Sequence, residues 1–160
     1  MALKLIRQAP PSEAKWVNFD DDTKILLAGI DNAEYQIAFE RMQRRIRRND
    51  SSFEEGEVGV LAGEKSQHES QCMLISHFIL KDWDGVLDAE GNPLKFSHNL
   101  GCELLKSNFE FFVFVFNQST EIAREAKEEL AETVGKPSPA SNGKGSGRAS
   151  PKRGVRSTSA

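Results

Sequence analysis

The stretch Lys81–Ser97, KDWDGVLDAEGNPLKFS, decides the fold of this chain, because it places one large aromatic residue on each side of an acidic turn. Gly91 can adopt a positive φ, Asn92 can hydrogen-bond to the nearby backbone, and Pro93 fixes its own φ. This composition predicts a tight turn that begins at Asp88.

The residues around the turn predict a compact unit of structure. The apolar residues at 86–87 can pair with those at 94–96 as two very short strands. Ser97 is then a favourable N-cap for a following helix. We call residues 81–97 the central turn unit. The residues on which its structure is expected to depend, as a structural hub, are Trp83, Gly85, Gly91, Pro93, Phe96 and Ser97.

The composition indicates one domain and a reducing environment. The chain has 160 residues, of which 38% are hydrophobic, and this suits one domain of modest core size with a tail. No run of about 18 apolar residues is present, which predicts no membrane span. The N-terminus has too short an apolar region for a secretory signal. Cys72 and Cys102 lie within apolar segments, which predicts buried thiols and a cytoplasmic location.

Charge is distributed unevenly along the chain. Residues 136–160 carry six Lys or Arg and no acidic residue, so residues 1–135 hold 15 basic and 24 acidic residues, a net charge of −9. The segment 136–160 is also rich in Gly, Ser and Pro and has almost nothing to bury. It is therefore predicted to be a disordered basic tail.

The first half of the chain predicts a hairpin, a helix and a linker. Residues 1–15 contain two prolines and are expected to form a flexible lead-in. Residues 16–19 and 23–30 flank three aspartates and predict a β-hairpin. Residues 31–48 show apolar side chains at helical spacing, with five arginines largely at other positions. Glycine and glutamate dominate residues 50–65, which predicts a mobile linker.

The second half predicts three further helices. Residues 66–83 present an apolar helical surface, and Trp83 is expected to dock at the end of this helix. Residues 98–106 predict a short helix, which Gly101 weakens by about 1 kcal/mol relative to Ala. Residues 109–134 predict a long helix, although the aromatic and β-branched residues at its start also suit a strand.

One apolar stripe along residues 109–134 favours the helix over the strand. The stripe consists of Phe112, Val113, Phe116, Ala123, Ala126, Leu130 and Val134. The predicted fold is therefore a predominantly helical α+β domain over residues 16–135, in which an N-terminal β-hairpin packs on about four helices with a short central β-turn unit. The disordered tail follows this domain.

The sequence predicts no catalytic, metal or cofactor site. His68 and Cys72 share a helical face, but His77 lies off that face and zinc requires three or four ligands at matched spacing. The carboxylates of the central turn unit fit a calcium loop in neither possible register. The motifs of phosphate-binding loops, nucleophile elbows and zinc proteases are missing. A protein without enzymatic activity or cofactor is expected.

Two features predict a surface for a partner. The run 109–116 places phenylalanines on more helical faces than a small core covers easily, which indicates either additional core or an interface for self-association or a client. The arginines of residues 41–48 suit a solvated or protein-binding helix face better than nucleic acid, because the body is acidic and the cluster lacks an aromatic residue for base stacking. The predicted partner surface comprises Phe109, Phe112, Phe116, Arg44, Arg45 and Arg48.

The order of these elements resembles that of the tail assembly chaperones of long-tailed, siphovirus-type bacteriophages. Their hallmark is similar to a W-x-G-V sequence, an acidic turn, G-x-P and an aromatic residue before Ser. The matching residues are Trp83, Gly85, Val86, Asp88, Gly91, Pro93, Phe96 and Ser97. The resemblance spans residues 16–132, with His98 and Asn99 standing where an acidic residue is expected.

This resemblance implies a non-catalytic protein of virion morphogenesis that acts in the host bacterial cytoplasm and is absent from the mature virion. The implied partners are the tape measure protein, which the chaperone keeps soluble, and the major tail tube protein. Such chaperones often have a longer frameshifted product, and the Gly-Lys pairs at 135–136 and 143–144 can be encoded by slippery purine runs. The alternative is a small nucleic-acid-associated adaptor that uses the arginines of residues 41–48 and the basic tail.

Overall fold

The computed structural model of the chain describes residues 2–5 and 12–135, with side chains described as far as Glu132. One compact unit extends to Ala126, and the described part of a second unit is the last stretch of the final helix. The elements in chain order are β1 (Lys15–Asn18), β2 (Lys24–Leu27), α1 (Ala33–Asp50), α2 (Gln67–Leu74), a π-helical turn (Ile75–Ile79), β3 (Leu80–Asp84), α3 (His98–Ser107) and α4 (Phe109–Gly135). The predicted α+β class is confirmed.

The N-terminal hairpin forms as predicted. β1 pairs with β2 in antiparallel register, with Trp16 opposite Leu26 and Val17 opposite Ile25. The Asp20 carboxylate accepts the backbone N–H groups of residues 22 and 23 at 2.9 and 2.8 Å, which closes the turn through an Asx-type bond. β1 starts one residue earlier than expected.

The prediction of a helix over residues 66–83 is wrong in its last part. The α-helix ends at Leu74, a π-helical turn follows, and β3 pairs antiparallel with β2 to complete a sheet in the order β1-β2-β3. A β-bulge at Lys81 brings Leu80 and Trp83 to the same inner face, although they are three residues apart. That i, i+3 spacing imitates a helical stripe.

Side chains of Asn and Ser cap the helices. Asn32 accepts the N–H of Tyr35 at the start of α1, and Ser66 accepts the N–H of Glu69 at the start of α2. Ser97 caps α3, as the sequence predicts, and Asn108 caps α4. These bonds satisfy backbone donors that have no partner within the helix.

The hydrophobic core lies between the inner face of the sheet and the helices. Its buried residues are Ile25, Leu27, Ala28, Tyr35, Cys72, Ile75, Ile79, Leu80, Trp83, Leu105, Phe111, Phe112, Val115 and Ile122. Strands β2 and β3 both contribute core residues, because Ile25 pairs with Trp83 and Leu27 pairs with Leu80 across these two strands. The core therefore draws on the hairpin, the π-helical turn and α4 together.

The buried face of α4 is rotated relative to the predicted stripe. Phe111, Val115 and Ile122 are buried at helical spacing, whereas Val113 is exposed. The hairpin turn explains this phase, because the Phe19 ring packs edge-to-face on Phe111 at 5.5 Å and on Phe114 at 5.1 Å. The direction from which the hairpin docks thus decides which phenylalanines are core.

The predicted disordered tail, residues 136–160, lies outside the described residues. The end of the predicted flexible lead-in has defined contacts, because Ser12 donates both its backbone N–H and its hydroxyl to the Asp31 carboxylate at 3.1 and 2.8 Å. Asp50, the first residue of the predicted linker, is the last residue of α1, and residues 51–65 contain turns but neither helix nor strand. Among the described residues, no helix is long and apolar enough to cross a membrane.

Candidate partner-binding surface

The central turn unit is held together by Trp83. Its side chain is only 6% exposed, its indole Nε1–H donates to the Leu94 carbonyl at 2.7 Å, and its ring packs edge-to-face on Phe96 at 5.1 Å. Leu87 and Pro93 form a single antiparallel bridge, which is all that remains of the two predicted short strands. The ring therefore links β3 to the return segment that leads into α3.

The two glycines of this unit have different surroundings. Gly85 and Gly91 both have positive φ, at 93° and 87°. A Cβ at Gly85 would collide with the Asp22 carbonyl of the hairpin turn, whereas nothing lies within 4 Å of one at Gly91. The Asp88 carboxylate accepts the N–H groups of Glu90 and Asn92 at 2.9 Å each, so this acid is used within the turn.

The predicted aromatic surface is partly core. Phe109, Phe112 and Phe116 form a stacked row along α4, with ring centroids 5.9 and 6.5 Å apart. Phe112 is only 8% exposed and carries the His68 ring edge-to-face at 4.6 Å, while Phe109 is 66% exposed. Val113 is also exposed, one helical turn from Phe109. We call Phe109 and Val113 the apolar patch.

The predicted arginine surface is exposed to solvent. Arg41, Arg44, Arg45, Arg47 and Arg48 all lie on the outer side of α1. Within the described part of the chain, none of these five guanidinium groups forms an ion pair. Arg47 and Arg48 also lie in the last turn of α1, where the helix dipole favours positive charge.

The structure does not join the two predicted surfaces into one. α2 lies between them, because His68 packs on the aromatic row whereas Ser70 lines a groove beside Arg45 and Arg48. The six predicted residues therefore form two separate patches. The groove was not predicted from the sequence, and its far wall comes from residues 61–65. The feature of the sequence that could have indicated it is the apolar pair Leu61 and Ala62 before Gly63.

The Cys72 thiol is unsuited to act as a nucleophile at neutral pH. Its Sγ lies 3.6 Å from Nε2 of His68, as their spacing predicts. Burial raises the pKa of Cys72 from 9.0 to about 11, and burial also raises the pKa of Cys102. Among the described residues, no three His, Cys, Asp or Glu side chains converge in a way that would hold a metal ion.

The described residues form a small α+β protein with two distinctive surfaces. These are the apolar patch and the exposed arginines of α1, which we call the arginine face. A family model described as YdaY prophage protein matches residues 30–136, from the end of the hairpin through α4. The match covers more than half of the chain, so the chain belongs to this family and is phage-derived. No curated protein and no solved structure matches the chain.

Proposed function

We propose that this protein is a non-catalytic phage tail assembly chaperone that binds and solubilises the tape measure protein and helps to recruit tail tube subunits. The observation that carries the proposal is the apolar patch, because Phe109 remains 66% exposed although it begins a helix with a buried face. Membership of a prophage family and the resemblance of the central turn unit to the chaperone hallmark support the same function.

The patch is well suited to hold an apolar segment of a client. Phe109 stacks on the buried Phe112 and contacts the His68 ring, so these two neighbours restrict the orientation of the exposed ring. A pre-ordered aromatic ring loses little conformational entropy on binding. The remainder of the body is acidic, and a net charge far from zero keeps a complex with an apolar client soluble.

The test is co-expression with a tape measure protein from the same prophage. The double variant Phe109→Ser/Val113→Ser should leave the fold intact and reduce the soluble fraction of the client several-fold. Phe112→Ser is unsuitable, because burial of Phe112 makes loss of the fold the expected result. The matched control is Ile37→Ser, which removes from α1 an apolar side chain whose exposure lies between those of Phe109 and Val113. Unchanged client solubility in the double variant contradicts a client site at this patch.

A nucleic-acid-associated adaptor is the second candidate, and the exposed arginines of α1, which form no ion pair with another described residue, favour it. Phosphate contacts by these groups predict binding that weakens steeply with salt. A chain that ends at Gly135 lacks the basic segment 136–160. Nucleic-acid binding by this shortened chain therefore cannot come from nonspecific attraction to that segment. Salt-dependent DNA or RNA binding by this shortened chain, lost in Arg44→Glu/Arg47→Glu, would favour the adaptor over the chaperone.

A further inference from the structure

A groove of about 280 Å³ separates the C-terminal half of α1 from residues 61–65. Its floor is apolar and consists of the buried Met42 and the half-buried Ile46 and Leu61. The exposed side chains of Arg45, Arg48 and Lys65 surround this floor. The groove thus combines a small apolar surface with a cationic rim.

The cationic rim is not neutralised by the groove itself. Glu64 is the acidic residue of the lining, and its carboxylate accepts the backbone N–H of Leu61 at 3.0 Å. Among the described residues, no acidic side chain lies within ion-pair distance of Arg45, Arg48 or Lys65. The ligand that complements this groove carries carboxylates next to a small apolar side chain.

A segment of this chemistry immediately precedes the groove wall. Residues 54–60, EEGEVGV, carry three glutamates and belong to neither helix nor strand. The side chains of Val58 and Val60 are 100% and 81% exposed. We call residues 54–60 the acidic segment. Because both valines are this exposed and no residue of the acidic segment lines the groove, the segment does not occupy the groove of its own chain.

We propose that two copies of this chain associate by placing the acidic segment of each copy in the groove of the other. Charge complementarity selects the occupant, since the glutamates match the cationic rim and the valines match the apolar floor. The acidic segment and the groove are adjacent in the chain, so one twofold axis near residue 60 brings both exchanges about together.

The small size of the contact sets the expected strength. A groove of about 280 Å³ accommodates only a few side chains, so we expect the contact to fall at the lower end of stable protein interfaces, which begin at ~1,200 Å². Association is therefore weak, in the micromolar range, and sensitive to salt because its ion pairs are exposed. A dimer of this kind dissociates readily at low protein concentration.

Analytical ultracentrifugation of the full chain over a range of concentrations tests the proposal. Dimerisation is expected at about 50 mM salt and should weaken at least about tenfold at 500 mM. Arg45→Glu/Arg48→Glu should weaken it about tenfold or more, as should Glu54→Lys/Glu55→Lys/Glu57→Lys. An equimolar mixture of the two charge-reversed variants should dimerise with nearly wild-type affinity, because their charges are again complementary.

Arg44→Glu/Arg47→Glu is the matched control, since it makes the same charge change on α1 outside the groove. A synthetic peptide of residues 53–61 should dissociate the wild-type dimer, and a scrambled peptide should not. A monomeric chain at every concentration, failure of the mixture to dimerise, or equal effects of the control pair would overturn the proposal. Binding of the peptide to a chain that stays monomeric would assign the groove to another acidic protein, which also overturns it.

Discussion

Trp83 and Trp16 show how strongly the effect of one substitution depends on the surroundings of the side chain. Trp83 is buried and donates a hydrogen bond to Leu94, whereas the Trp16 side chain on the edge strand β1 is 50% exposed. The first residue therefore carries core packing and a buried polar contact. The half-exposed Trp16 side chain contributes less to core packing than Trp83 does.

Trp83→Ala should lower the free energy of unfolding by about 3–5 kcal/mol, because it leaves a cavity and an unpaired Leu94 carbonyl. Trp16→Ala should cost less than about 1 kcal/mol. Urea denaturation followed by far-UV circular dichroism measures both. Equal stability of the Trp83 variant and the wild type would show that the ring does not hold the central turn unit together.

Cys72 predicts a fall in stability at alkaline pH. Burial raises the pKa of Cys72 in the folded chain to about 11 from its ordinary 9.0, so the folded state holds the proton more tightly than the unfolded state. The resulting stabilisation is complete below pH 9 and is lost as the pH rises through about 11. Its size is up to about 3 kcal/mol.

The comparison of the wild type with Cys72→Ala isolates this contribution. The variant should be less stable at neutral pH, because it loses buried volume, but its free energy of unfolding should fall less steeply between pH 9 and 11. Tyr35 remains in both proteins, and its buried hydroxyl also has a raised pKa. Parallel pH profiles for the two proteins would contradict the assignment.

At the scale of secondary-structure elements, Gly101 sets the distance between α3 and the strand and turn that it covers. A Cβ at this position would lie 2.9 Å from both Leu80 Cδ2 and Ser76 Oγ and 3.3 Å from Phe96. The sequence alone suggests a weak point in the helix. The structure shows instead a close approach, in which an added Cβ would force the buried Leu80 and Ser76 side chains to shift.

Gly101→Ala should therefore destabilise the protein by about 1–3 kcal/mol through overpacking, although Ala is the better helix former. Thermal unfolding should show a lower midpoint. Glu103→Ala, at an exposed position of the same helix, is the control for a change in helix propensity and should shift the midpoint little. A higher midpoint for the Gly101 variant would mean that α3 can move away from β3 at no cost.

Local chemistry explains which elements could be predicted from the sequence. The hairpin, α1, the tight turn at Gly91 and the caps at Ser97 and Asn108 depend on neighbouring residues, and they were predictable. β3 depends on a bulge and on a partner strand more than 50 residues away, so its spacing imitated a helix. The phase of α4 likewise depends on the distant Phe19.

The candidate site was less predictable for the same reason. Arg44, Arg45 and Arg48 are exposed, as expected for residues that lie off the apolar positions of α1. The burial of Phe112, in contrast, results from packing against α2 and the core, which the periodicity of α4 does not contain. The groove depends on residues 61–65 turning back towards α1, and no local pattern predicts that return.

At the scale of the whole molecule, the shared core predicts cooperative unfolding of residues 12–126. The sheet, the π-helical turn and all four helices contribute to one continuous cluster of buried side chains. Trp83 belongs to the same cluster as the buried residues of the helices, so its exposure on unfolding should accompany the loss of their packing. One transition is therefore expected for the unit.

The variant Trp16→Phe makes this prediction measurable, because Trp83 is then the single tryptophan in the chain. Its fluorescence reports on the central turn unit, whereas far-UV circular dichroism is dominated by the helices. The two signals should give the same midpoint and the same dependence on urea. Separate transitions would show that the central turn unit unfolds independently of the helices.

The bulge at Lys81 makes the length of β3 unusually adjustable. Leu80 pairs with Leu27 and Asp82 with Leu26, so Lys81 is the extra residue opposite the partner strand. Its deletion would leave a regular ladder in which Leu80 and Trp83 still face inward. In an unbulged strand, the loss of one residue turns every later side chain to the opposite face. Members of the family that lack one residue here can therefore retain the same core.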